Sequence, residues 1–255
     1  MIIIQRTYVI LTVMATFPQT LLFLDTETTG NAAEDRLIQA AYRTTDDADD
    51  VNELFTAPLP IKIEAMAVHH ITEKMIADKP AFIGSPTYND LKKRFEDENI
   101  FIAHNAKIDV GMIEKEGLTV GPVIDTLKLA RHLDSEGKIQ SFKLQYLRYL
   151  LGIEVEAIAH DAFGDILVLE QLFYRLLKKL MEQKNISAET AIDDMVEISK
   201  QPIIYTFFPF GKYKNKSVEE VAKHDRGYLQ WLLKTKLENE EDDEDWICTL
   251  QSILK

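Results

Sequence analysis

Residues 21–24 (Leu-Leu-Phe-Leu) are apolar at every position and run straight into Asp25-Thr26-Glu27 and then Thr28-Thr29-Gly30. A run this short, with no polar alternation, belongs to a strand covered on both faces, and the Thr-Thr-Gly behind it marks a turn. Residues 37–42 and 51–55 are two further strands, close enough to form an antiparallel meander with the first. The texture then changes. Helical spacing runs through 63–76, 88–98, 109–116, 126–133, 142–151 and 162–183, with buried strands at 100–103 and 120–124. A meander that passes into alternating strands and helices predicts an α/β fold, a mixed sheet with helices on both faces and loops at the strand ends lining a cleft.

Composition sets limits on what that cleft does. With 255 residues, 46% of them apolar, the chain holds one mid-sized domain and a small appendage. A single cysteine, Cys248, rules out an internal disulfide and a cysteine-cluster zinc site, and a reducing, cytoplasmic setting is the default. The formal net charge of -13 argues against a broad basic surface, so any hold on nucleic acid must be local. The apolar stretch at 8–17 falls short of the ~20 residues that span a bilayer, and no membrane partner is expected. Only Arg6 precedes that stretch, which argues against secretion; a start placed upstream of Met14 accounts for it equally well.

The carboxylates carry the chemistry. Asp25 and Glu27 stand two apart on a strand, so both project from one face at its end. Burying such a pair without a cation is costly, and hard oxygen donors suit Mg²⁺ or Mn²⁺ better than zinc or copper. An isolated Asp-x-Glu also describes a solvated strand end. Here Asp109 follows another strand, and Asp165 lies about one turn into the longest helix with His160 in the loop before it. All four are placed to share the cleft.

Taken in order, Asp25-x-Glu27, Asp109 within AHNAKID and His160-x4-Asp165 resemble the DEDDh (DnaQ-like) 3'-5' exonucleases over roughly residues 20–180. The segment from Glu64 to Thr72 resembles a further stretch of that family usually read as His-Gly-Ile-Thr, with His70 in the glycine place, and Ile108 stands where an aromatic commonly precedes the aspartate. The resemblance implies a ribonuclease H-like fold. It implies that Asp25, Glu27, Asp109 and Asp165 hold two Mg²⁺ ions, with Mn²⁺ as substitute, and that His160 is the base for the attacking water. Thr28, Gly30, His104 and Asn105 are the residues it points to for contact with the terminal nucleotide, while His104, Asn105 and His69 serve equally well as supporting or core groups. The implied activity is removal of nucleoside 5'-monophosphates from DNA, at a 3' end and single-stranded by preference, in repair or turnover. RNA trimming, proofreading beside a polymerase, and a non-catalytic adaptor are the alternatives.

A second resemblance follows the nuclease core. Thr206 to Ser217, including Phe210-Gly211-Lys212-Tyr213, and Asp225 to Leu232 look like the small module that ends enzymes of the exonuclease X type. Residues 200–236 hold eight Lys or Arg against Glu219, Glu220 and Asp225, a local +5 in an acidic protein. Phe207, Phe210, Tyr228 and Trp231 serve equally as a miniature core or as a surface for stacked bases. Thr206 stands where a P-loop needs glycine, so nucleotide hydrolysis is not indicated. The expected organisation is an N-terminal extension (1–19), the exonuclease domain (20–184), a linker (185–202), the basic aromatic module (203–237) and an acidic, solvated tail with a short terminal helix (238–255). Oligomeric state leaves no mark in the sequence.

Overall fold

A computed structural model describes residues 19–46, 50–134, 136–155, 162–208, 210–238 and 244–255. His160 and the first eighteen residues lie outside the described residues. The described residues form two compact units, the first drawn from 1–133 and 141–199 and the second from 134–140 and 200–255.

The larger unit is built on a five-stranded mixed sheet in the order β3-β2-β1-β4-β5. The meander is β1 (Leu21–Thr28), β2 (Leu37–Thr44) and β3 (Val51–Leu54), antiparallel throughout. β4 (Ile100–Ala103) and β5 (Val123–Asp125) then run parallel to β1. Between strands the chain forms α1 (Ile63–His69), α2 (Glu73–Ile76), α3 (Pro86–Glu96) and α4 (Lys107–Lys115). After β5 come α5 (Thr126–Leu133), α6 (Leu144–Leu150), α7 (Ala162–Lys184) and α8 (Ala188–Lys200).

Alternation along β1 decides what each face meets. Leu22 and Leu24 enter one cluster with Leu91 and Phe95 of α3 and Met112 and Ile113 of α4. Phe23 points the other way, its ring 5.4 Å from Phe173 and 6.2 Å from Tyr174 of α7. Both faces of the strand are therefore dry, as its unbroken apolar run requires. At about 25 cal/mol per Å² of apolar surface, this two-sided burial is the main term holding the sheet between its helices.

Several expectations need correction. β1 does not stop at Asp25: pairing with β2 continues to Thr28 opposite Leu37, with a register shift after Glu27, so both carboxylates sit within the strand. The helical spacing over 63–76 is two helices, because His70 adopts φ 62° and ends α1. This left-handed position favours glycine. The last strand is shorter than 120–124 suggested and extends to Asp125. The segment expected as a linker contains α8, which buries Ala191, Ile192 and Met195 and whose Ser199 Oγ accepts from the Asp125 N–H at 2.9 Å.

The smaller unit contains α9 (Val218–His224), α10 (Arg226–Leu237) and α11 (Glu244–Leu254) around Phe208, which is fully buried. Ser217 and Asp225 cap α9 and α10, accepting from Glu220 N and Tyr228 N. The end of the acidic tail belongs to this core: Trp246 stacks on Phe208 at 5.1 Å and Leu250 is buried beside it. Asp245, within the run expected to be solvated, accepts from Ile203 N at 2.6 Å. Among the described residues no helix is long and apolar enough to cross a membrane.

Candidate active site

The pairing of β1 with β4 reaches Phe23 opposite Ile102, one residue before β4 ends, and β1 continues to Thr28. Asp109, in the first turn of α4, meets β1 in this stretch. Its Oδ1 accepts both the Thr26 N–H at 3.0 Å and the Thr26 hydroxyl at 2.8 Å. The third carboxylate is thus fixed to the residue between Asp25 and Glu27. Asp109 is 5% exposed, and burial pushes its carboxyl up to about 7, against the two Thr26 hydrogen bonds and with the help of nearby Asp125.

Asp25 and Glu27 alternate with Thr26 and so lie on the face of Phe23, under α7. Asp165 shares the helical stripe of Leu169, Leu172 and Phe173 on α7, and its Oδ1 accepts from Gln145 Nε2 at 2.5 Å. The direction of α7 follows from its two ends. Near its start, Gln145 connects it to α6, and Phe142, just before α6, accepts from His104 at the end of β4 at 2.7 Å. At its far end Lys179 Nζ donates to Leu133 O at 3.0 Å, where α5 has run back from β5. α7 therefore begins over the C-terminal edge of the parallel strands, the edge that carries Asp25, Glu27 and Asp109.

The four carboxylates are brought to one edge, three from the face of α7 and one from that of α4. They are not drawn tightly together: among the described residues no three His, Cys, Asp or Glu side chains form a group that encloses an ion. The donor set fits a hard divalent cation, since every donor is a carboxylate oxygen and the buried Asp109 carboxyl carries a charge penalty that such a cation offsets.

The turns around this edge are fixed by residues with no motif of their own. Asp125, 4% exposed at the end of β5, accepts from Asn105 N, Leu127 N and Lys128 N through Oδ1 and from Ala106 N through Oδ2, so one carboxylate caps α5 and holds the turn into α4. Asn105 there has φ 65°. Both ring nitrogens of His104 are engaged, Nδ1 with Thr126 Oγ1 at 2.9 Å and Nε2 with Phe142 O, and burial holds the ring below the ordinary histidine range. His69 accepts from Ile71 N through Nδ1, which leaves its Nε2–H to donate to Thr28 O at 3.2 Å and pin the backbone just past Glu27. Ile108 is 54% exposed, so the residue before Asp109 is not part of its packing.

Thr28 donates its hydroxyl to Gly30 O at 2.8 Å. The turn after it is braced by Asp35, 1% exposed, which accepts from Thr29 Oγ1 at 2.9 Å, Ala32 N at 2.6 Å and Lys62 Nζ at 2.6 Å. Burial alone raises the Asp35 carboxyl, but Lys62 and the other donors outweigh it and hold it below the usual range. Gly30 is needed for space: an added Cβ meets Lys62 Cδ at 2.6 Å and Asp35 Oδ2 at 2.7 Å. Gly30→Ala is expected to cost about 1–3 kcal/mol in urea unfolding by forcing this ion pair apart. An unchanged midpoint removes the packing account.

The exonuclease family model matches residues 22–173, spanning the sheet and all four carboxylates. The chain belongs to the exonuclease family. A second family model, the exodeoxyribonuclease X-like C-terminal module, matches residues 208–235. The chain is 33% identical over 213 residues to exodeoxyribonuclease 10 of Escherichia coli (strain K12), covering 82% of this chain and 88% of that one. It is 32% identical over 176 residues to a DNA polymerase III subunit epsilon-like protein of Rhodobacter capsulatus, of which the match spans only 24%. The solved structure of exonuclease X in complex with 5' overhanging duplex DNA superposes with a TM-score of 0.53 at 25% identity, covering 69% of this chain and 99% of that one. E. coli exonuclease I bound to a dT13 oligonucleotide gives a TM-score of 0.55 at 18% identity over 66% and 43%, a likeness of fold. The fold is the ribonuclease H-like mixed sheet, and the chain is an exonuclease.

Proposed function

We propose that the chain is a 3'-5' exodeoxyribonuclease that hydrolyses terminal phosphodiesters of DNA to nucleoside 5'-monophosphates. The observation that carries this is the fixing of Asp109 to Thr26, between Asp25 and Glu27, at the edge over which α7 brings Asp165. Divalent-metal use goes with the family, and the all-oxygen donor set favours Mg²⁺, with Asp25, Glu27, Asp109 and Asp165 as its ligands. When bound, such ions supply charge stabilisation to the phosphoryl centre. The chain's own residues do the rest. Thr26 and Gln145 orient two of the carboxylates, each by donating to Oδ1. Thr28, Gly30 and Asn105 offer backbone and amide groups to the terminal nucleotide, with His104 holding the turn beside them.

His160, outside the described residues, is the general base by its spacing from Asp165. His160→Ala is expected to slow turnover about 10²–10⁴-fold, and the wild-type rate is expected to rise with pH as a neutral imidazole forms. A flat wild-type profile together with an active variant removes His160 from the mechanism. The relative spanned over 88% of its length is an exodeoxyribonuclease, whereas the polymerase-subunit relative is matched in part only, which favours a stand-alone enzyme. Single-stranded, duplex and RNA oligonucleotides, each 5'-labelled and incubated with protein and Mg²⁺, test the reading. Stepwise shortening with release of 5'-monophosphates supports it; no shortening of any of them refutes it.

A further inference from the structure

The smaller unit contains two tryptophans in opposite situations. Trp246 is 5% exposed and stacked in the core, whereas Trp231 is 57% exposed on α10, where Leu229 and Leu232 already supply the inward contacts. More than half of this indole faces solvent. It has aromatic and cationic neighbours. The Tyr228 ring lies 5.6 Å from it, and Lys212 Nζ stands 6.0 Å from the Tyr228 ring. Phe210, 37% exposed, has Lys236 Nζ 5.7 Å from its ring, and Lys234 is exposed one helical step from Trp231. These rings and ammonium groups sit in the one stretch, residues 200–236, that carries +5 within a protein of net charge -13.

Exposed rings interleaved with lysines match a single strand of nucleic acid, whose bases offer stacking faces and whose backbone offers regularly spaced anions. A purely apolar protein partner has no use for the ammonium groups. We propose that Phe210, Lys212, Tyr228, Trp231, Lys234 and Lys236 form a strand-binding face of the smaller unit, where unpaired bases stack on Trp231 and its neighbours. This rests on the exonuclease reading for the identity of the strand. Because lysine–phosphate attraction contributes to the hold, binding is salt-sensitive.

The test uses the full chain in EDTA, which prevents degradation, with 5'-fluorescein-labelled (dT)20 as probe. Trp231→Ala is expected to weaken binding about tenfold or more by anisotropy, and Trp231→Phe to restore most of it. Wild-type tryptophan emission should be quenched by (dT)20, while the Trp246 emission left in Trp231→Ala stays unmoved and, by its unchanged maximum, reports an intact core. Lys212 Nζ also lies 3.2 Å from Asp225 Oδ2, so replacing Lys212 and Lys236 together by Gln should lower the slope of log affinity against log salt by at most about 1.4. Equal (dT)20 affinity of wild type and Trp231→Ala, or quenching by poly-glutamate but not by (dT)20, overturns the proposal. Nucleotide release by the wild type on adding Mg²⁺ reports separately on the exonuclease reading: its absence sinks that reading whatever the binding result.

Discussion

Asp25→Asn and Asp165→Asn, each assayed with Mg²⁺ on an end-labelled oligonucleotide, are expected to lose at least ~10³-fold in turnover while unfolding no more easily than the wild type. The reasoning is electrostatic. Each substitution removes one unit of negative charge from an edge where several carboxylates gather, which relieves repulsion in the free protein and weakens the hold on a divalent cation in the working one. Losing several kcal/mol of transition-state stabilisation means three or more powers of ten in rate. Asn at 165 still offers an oxygen to Gln145, so the local hydrogen bond survives. A variant with near wild-type turnover shows that its carboxylate is not a ligand. A variant that melts far below wild type shows that the side chain holds the fold instead.

Asp109→Asn separates stability from function more sharply. The Asn carbonyl keeps the acceptor for both Thr26 donors, and the buried charge disappears. The folded carboxyl titrates at about 7 against an unfolded value of 3.8. Its folded pKa is raised, so folding is unpenalised at pH values below 3.8, loses about 1.4 kcal/mol per pH unit as pH climbs toward 7, and bears the full cost above that. In EDTA the variant is therefore expected to melt on the order of 10 °C above wild type at pH 8, with the curves converging toward pH 4. Mg²⁺ should raise the melting temperature of the wild type and do less for the variant, and the variant should be inactive. Coincident melting curves from pH 4 to 8 in EDTA dispose of the buried-charge account.

The sequence by itself determined much of the order of elements and the residues nominated for chemistry. The bare apolar run of 21–24 demanded a strand covered on both faces, and periodicity placed the 126–133 helix at its observed limits. Asp25, Glu27, Asp109 and Asp165 were nominated from their spacing and order along the chain, which resemble a family motif; Asp25 and Glu27 prove to lie within β1 and not at its end. Tertiary structure alone decided that Thr26 serves Asp109, that Gln145 serves Asp165, and that Asp125 and Asp35 brace the turns between. None of these residues has a local signature, because a single acid or amide acquires its role from donors up to 83 positions away. The same holds for the small unit: composition left its aromatics balanced between core and surface, and only packing placed Phe208 and Trp246 inside while leaving Trp231 open to solvent. Local spacing encodes which face a side chain takes; what stands opposite that face depends on contacts between distant segments, which no local window contains.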